Sequence, residues 1–410
     1  MTNPLKALQR FGQSIWLDYI RRSLIISGEL RTMMEEDGLK GVTSNPVIFE
    51  KAITGSSDYL ELLHSLRDHP ETTVESIYEH LVLRDIHDAA STMLSVYRQT
   101  NRRDGYVSLE ISPYLSQNTQ GTLEEARHLW KKLGQDNVMI KVPGTPEGIV
   151  AVQQLISEGI NVNVTLLFSQ EVYAQVAQAY ISGLETLAQR NGDLQKVSSV
   201  ASFFISHIDS TVDRLVELQI KKTSSPREQA LLRSLRGTVA IANARQTYQR
   251  YKAIFSGKLW RDLSARGARS QRLLWASTRT KDPRYRDVLY VEELIGPDTV
   301  NTLPPSTYDA FRDHGLVRNS LEEGLEGAQA TMESLERFGI SMEQVSEKLL
   351  HEGLRLFAES FDKLLSALDK KCNGINTICI IIKFWFLSLP KCNLIGIKIL
   401  SHNTLNLICL

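Results

Sequence analysis

The chain has 410 residues, with 47 Lys plus Arg against 47 Asp plus Glu, so its formal net charge is zero. That balance argues against a nucleic-acid surface, which needs a basic excess, and leaves any phosphate recognition to a few placed cations. An apolar content of 42% allows a large buried core.

The N-terminal MTNPLKALQRFGQSIW has neither an apolar stretch nor a small-residue cleavage site, so no signal peptide is expected. From there, short β-rich runs alternate with long amphipathic stretches. Strands are predicted at Ser14–Ile20, Leu39–Asn45, Tyr106–Pro113, Asn137–Val142, Asn161–Phe168, Val197–Ser206, Arg272–Ser277 and Asp287–Leu294. Runs such as VNVTLLF and SSVASFFIS are nearly continuous in apolar residues, as in parallel strands buried on both faces. Helical patterns lie between them at Gly121–Leu133, Gly148–Ser157, Gln170–Gln189 and Gln229–Lys252. This alternation predicts an α/β fold, a single (β/α)₈ barrel of the TIM type. A doubly wound sheet is disfavoured, because no strand is followed by a G-x-G-x-x-G turn.

Two regions exceed a minimal barrel. Ser56–Thr100 reads as helical throughout, an insertion between the second and third strands. Past the eighth strand, Ser320–Phe338 and Met342–Leu368 carry apolar residues at three- and four-residue spacing and are expected to pack across the outside of the barrel. The domain is placed at residues 1–371. Beyond it the composition breaks: residues 370–410 hold no Asp or Glu, but all four cysteines (Cys372, Cys379, Cys392, Cys409) and the run ICIIIKFWFLSLP. Residues 372–410 are read as an atypical apolar extension, too short in its apolar run for a membrane span. The cysteine spacings match no zinc motif, and a folded body without cysteine fits a reducing cytoplasm.

A barrel gathers its functional residues at the C-terminal ends of its strands. The polar residues there are Asp18, Thr43 to Asn45, Glu110, Lys141, Asn163 with Thr165, Ser206, and Ser277 with Arg279. Burying a polar group without a partner costs roughly 2–7 kcal/mol. This set is too dense for a barrel that merely packs. Lys141 stands out within VMIKVPGTPEG: on a buried strand its ammonium loses hydration, which favours the neutral amine that can attack a carbonyl. A purely structural reading would pair it with Glu110. Asp18 could equally be a strand-end carboxylate satisfied by backbone, and Ser206 alone says nothing. Asn163 and Thr165 form an N-x-T sequon, but a buried strand is not a glycosylation site.

GVTSNPVIF (Gly41–Phe49) and MIKVPGTPEGIVAVQQL (Met139–Leu155) resemble the two signatures of the transaldolases, in order and separation. SLEISP, NVNVTLLFS and WASTR resemble further strand-end segments, and DVLYVEELIGPDTVNTLPP resembles the longer bacterial-type subgroup. The resemblance covers roughly residues 4 to 370. It implies a class I aldolase chemistry with no cofactor or metal, acting on sugar phosphates in the pentose phosphate pathway. The transfer expected is of dihydroxyacetone from sedoheptulose 7-phosphate to glyceraldehyde 3-phosphate. Carried over residue by residue, it makes Lys141 the Schiff-base nucleophile, Glu110 and Thr165 the holders of a catalytic water, and Asp18 the acid/base at the C4 hydroxyl. Asn45, Asn163 and Ser206 would bind the dihydroxyacetone moiety, and Ser277 with Arg279 the phosphate. One departure stands out: where the family usually has a second arginine after the strand-six serine, this chain has His207. Either His207 is a weaker, pH-dependent phosphate contact, or another cation such as Lys281 substitutes.

Overall fold

The computed structural model describes residues 3–67 and 73–387, with side chains of the last helix described up to Lys371. Eight parallel strands close in sequence order: β1 Gln13–Asp18, β2 Gly41–Thr43, β3 Tyr106–Glu110, β4 Val138–Pro143, β5 Val162–Leu167, β6 Ser199–Phe204, β7 Arg272–Ala276 and β8 Thr299–Leu303, with β8 pairing back onto β1. The predicted barrel is therefore the observed one.

Alternation along the strands sorts the interior into layers. Trp16, Tyr106, Met139, Val200, Leu274 and Val300 form a buried apolar layer across the barrel. Below it, Arg272 pairs with Asp104 at 2.8 Å and donates to Ser14 Oγ. Two residues further along the strands, the same inward face becomes polar with Asp18, Thr43, Ser108, Lys141 and Thr302. Gly41 is needed for this stacking, since a Cβ there would lie 2.5 Å from the Trp16 ring.

Seven of the eight predicted strands overlap the observed ones, with ends that differ by one to a few residues. The eighth does not. Asp287–Leu294 contains a short helix, Leu289–Glu293, and the strand that closes the barrel is Thr299–Leu303. The apolar VLYV run is only part-way to a strand. Glu292 follows it and is held in place by Arg286 at 3.0 Å and by the Leu316 amide at 2.8 Å. The true strand, TVNTL, is bracketed by a Gly-Pro-Asp turn and by Pro304–Pro305, which end pairing on both sides.

Among the helices, Gln170–Gln189 lies where the periodicity places it, whereas Gln229–Lys252 is two helices, Pro226–Ser234 and Val239–Ile254. The break falls at Gly237, whose φ of +67° and close approach to the Tyr285 ring suit only glycine. The insertion between β2 and β3 comprises Pro46–Thr54, Leu60–Arg67 and Val74–Gln99. After β8, Pro305–His314 precedes Leu325–Arg337, which packs on Val239–Ile254 in the outer ring.

The last helix, Met342–Leu387, corrects a second expectation. Its residues 352–362 do not lie on the outside of the barrel. They contact Leu166 at the top of β5, Lys141 on β4, and Tyr114 after β3. The helix crosses the C-terminal mouth, where the polar layer lies. The predicted extension 372–410 falls outside the described side chains. Among the described residues no helix is long and apolar enough to cross a membrane.

Candidate active site

Lys141 is the only buried lysine among the described residues, at 4% exposure. It sits in register between Glu110 on β3 and Asn163 on β5. Its Nζ lies 3.2 Å from Glu110 Oε2, an ion pair without hydrogen-bond alignment, and donates to the Ser44 carbonyl at 3.2 Å. The pairing that a structural reading would give is present, so function must be argued from what else faces the amine.

Two carboxyls do. Burial pushes the Glu110 carboxyl above its ordinary range; Lys141 opposes the shift, and Asp18 reinforces it. Burial likewise raises Asp18, against the pull of Lys141 and of the Thr43 hydroxyl. Asp18 itself keeps some accessible area. Thr43 Oγ1 donates to Asp18 Oδ1 at 2.8 Å and contacts Thr302 Oγ1 at 2.6 Å, locking the carboxylate between β1, β2 and β8.

The T-S-N segment at the end of β2 thus does three jobs. Thr43 orients Asp18, the Ser44 carbonyl receives Lys141, and Asn45 caps helix Pro46–Thr54 by accepting from the Ile48 amide at 3.0 Å. Asn163 is the centre of a buried chain: its Nδ2 donates to Ser108 Oγ at 3.1 Å, and its Oδ1 accepts from Ser202 Oγ at 2.7 Å. Thr165 Oγ1 is buried with no partner among the described protein atoms. It sits just before Leu166, whose φ of +59° accompanies a register shift in the β5–β6 pairing. That left-handed residue is strained, and such strain concentrates where a strand end is being aimed.

A second cluster lies at the tops of β6 and β7. Ser206 Oγ and His207 Nδ1 each lie 3.0 Å from Ser277 Oγ, and the Ser206 amide donates to the Ser277 carbonyl. Ser206 is the first residue of helix Ser206–Lys222, whose N-terminus carries positive dipole character. Ser277 adopts φ +55° in the turn that carries Arg279 out of the strand. Arg279 is exposed, and the cluster is separate from the Asn163 chain. Ser206 is thus bonded to Ser277 and not to Asn163. The strand-six hydroxyl that reaches Asn163 is Ser202, which strand periodicity could have flagged as inward-facing beside Phe204.

His207 is half-buried. Burial first, and then the Lys281 charge, hold its pKa down to about 3, so the ring is neutral. Lys281 keeps an exposed side chain, yet the protein around it, with Arg279 and Arg214, lowers its pKa to about 8. Glu352 from the last helix pulls the other way.

Residues 15–368 match the family model described as transaldolase/fructose-6-phosphate aldolase. The chain belongs to this family. Its relatives include the transaldolase of Trichodesmium erythraeum, 47% identical over 380 residues that span 92% of this chain and all of that one. Transaldolase 2 of Nostoc punctiforme is 44% identical over 92% of this chain and 100% of its own length, and the transaldolase of Thiobacillus denitrificans 44% over 89% and 99%. A (β/α)₈ transaldolase-family enzyme of the transferase class is thus the frame for the site. The hydroxyls missed from sequence, Ser108, Ser202 and Thr302, all lie in its polar layer.

Proposed function

We propose that the chain moves a dihydroxyacetone unit from sedoheptulose 7-phosphate to glyceraldehyde 3-phosphate, giving erythrose 4-phosphate and fructose 6-phosphate, through a Schiff base on Lys141. The observation that carries this reading is a buried amine facing two carboxyls whose pKa values are both raised. Raised carboxyls in an enclosed site can exchange protons near neutrality, as imine chemistry requires.

Lys141 Nζ adds to the C2 carbonyl of the ketose. The carbinolamine loses water to give the iminium, Glu110 supplying the proton through a water that it shares with Thr165. Asp18 takes the C4 hydroxyl proton, the C3–C4 bond breaks, and its electron pair enters the enamine while the aldose phosphate leaves. The acceptor aldehyde then enters and the steps reverse. Asn45 and the Ser108–Asn163–Ser202 chain hold the three-carbon unit. Ser206, Ser277, Arg279 and Lys281 hold the phosphate, with Arg279 as the forked donor. We assign this chemistry to the pentose phosphate pathway in the cytoplasm, and residues 372–410 to an extension outside the catalytic fold.

Borohydride reduction in the presence of fructose 6-phosphate, followed by mass mapping, tests the proposal. A three-carbon adduct on Lys141 is expected. An unmodified Lys141 with full turnover would remove the Schiff base from the mechanism.

A further inference from the structure

Three successive turns of helix Met342–Leu387 cross the mouth. Gly353 sits on the top of β5, where a Cβ would come within 2.8 Å of Leu166 Cδ2. One turn on, the Phe357 ring centroid is 5.8 Å from Lys141 Nζ, and this phenylalanine is 8% exposed. Another turn on, Phe361 meets Tyr78 edge-on at 5.1 Å and Tyr114 at 6.2 Å, while Asp362 accepts from the Tyr114 hydroxyl. Substitution at Gly353 would lift the helix off β5, and loss of Phe361 would free it from the β3 side. Phe357 is thus clamped on both sides over the amine.

A buried phenylalanine is ordinarily core. This one covers a polar layer, above the one lysine that is buried among the described residues. A ring 5.8 Å from a cation both attracts it and displaces water from that side.

We propose that Phe357 is a positioning residue that roofs the Lys141 nitrogen and sets how often the three-carbon unit is passed to an acceptor rather than hydrolysed. This rests on the Schiff-base reading above. After C3–C4 cleavage the enamine is held on Nζ. Transfer forms a new C3–C4 bond to the acceptor aldehyde. In the competing route C3 takes a proton, giving the iminium; a water oxygen bonds to C2 and loses a proton. The C2–N bond then breaks, restoring the amine and releasing dihydroxyacetone. Both routes share every step up to the enamine, and only the second needs an additional water at C2 before an acceptor arrives. An apolar ring over the nitrogen slows that approach while leaving the acceptor path free.

The test measures free dihydroxyacetone released per transfer event, with fructose 6-phosphate as donor and erythrose 4-phosphate as acceptor, in the full-length enzyme. Phe357→Ala is expected to raise this ratio at least tenfold, and Phe357→Leu, which keeps apolar cover, to stay within threefold of wild type. Borohydride trapping continues in both. A ratio in Phe357→Ala within twofold of wild type, with trapping intact, overturns the roof, as does a leucine variant that behaves like alanine. If the alanine variant does not fold, Phe357→Gln, similar in length and open to water, carries the same expectation and the same refutation. Failure of the wild type itself to trap would instead overturn the Schiff-base reading, so the two outcomes are distinct.

Discussion

On the reading that Lys281 takes the place of an arginine at the phosphate, Lys281→Met removes the charge that does so. The side chain lies near Arg279, Arg214 and His207, and its pKa of about 8 leaves it mostly protonated at neutral pH. A charge-assisted hydrogen bond is worth roughly 1.5–3 kcal/mol, which is about 10- to 100-fold in affinity. Lys281→Met should therefore raise KM for phosphorylated substrates by roughly that factor and leave kcat near wild type. The pH profile adds a second, independent prediction. Binding favours the ammonium, so KM is low below the free-enzyme pKa and rises as pH passes through it. With a pKa of about 8, the protonated fraction falls roughly tenfold between pH 7 and pH 9, and KM should rise in proportion. Lys281→Arg should flatten that rise, because a guanidinium stays charged throughout. Steady-state KM from pH 6.5 to 9.5 for the three enzymes is the assay. A flat wild-type profile, or a methionine variant within twofold of wild type, would show that the phosphate is held elsewhere. His207→Arg should lower KM, and titration of the native ring should add nothing to the pH dependence above pH 5, because that ring is neutral with a pKa of about 3.

Lys141→Ala should lower transfer at least a thousandfold, roughly 4 kcal/mol in the barrier, and Lys141→Arg should do the same because arginine cannot shed its proton. Turnover above a thousandth of wild type in either would contradict the nucleophile assignment. Asp18→Asn should still be trapped by borohydride with fructose 6-phosphate yet fail to cleave C3–C4; loss of trapping would make Asp18 structural, as its Thr43 bond alone would allow. A chain ending at Lys371 should keep kcat and KM, measured beside the full-length enzyme, and a halved activity would place the extension within the working fold.

The barrel was legible because parallel strands buried on both faces read as apolar runs, and because a helix amphipathic over twenty residues, Gln170–Gln189, admits few alternatives. The closing strand was not, because it is five residues long and half polar. Thr299 Oγ1 and Asn301 Oδ1 accept from buried partners there (Gln13 and Thr278), so its polarity is turned inside rather than advertised outside. At the site, residues carrying a charge or belonging to a signature were readable, whereas Ser108 and Ser202 were not. A buried hydroxyl has meaning only through the amide it serves, and that pairing joins three strands far apart in sequence. The mouth-crossing course of the last helix was likewise hidden. Its apolar spacing would suit an outer surface as well as a barrel top, and nothing local to Phe357 names Lys141 as its neighbour.

Burial, the ion pair and nucleophilicity are reconciled by the proton that Lys141 and Glu110 can share. At 3.2 Å the pair exists either as ammonium and carboxylate or as amine and carboxylic acid. In water the first form dominates by several pH units. Here burial raises Glu110, and the nearby Asp18 carboxyl raises it further, both favouring the protonated acid. The same surroundings that would make a structural salt bridge costly narrow the gap to the neutral pair, and it is the neutral pair that attacks a carbonyl and already holds the proton for expelling water. The Ser44 carbonyl keeps Nζ in place in either form, because ammonium and amine can both donate to it. Glu110→Gln separates these contributions. It preserves shape and removes the proton acceptor, so Schiff-base formation with fructose 6-phosphate, followed by trapping, should slow by at least a hundredfold at neutral pH. A Glu110→Gln enzyme trapped at the wild-type rate at pH 7 would leave the carboxylate with a purely structural role.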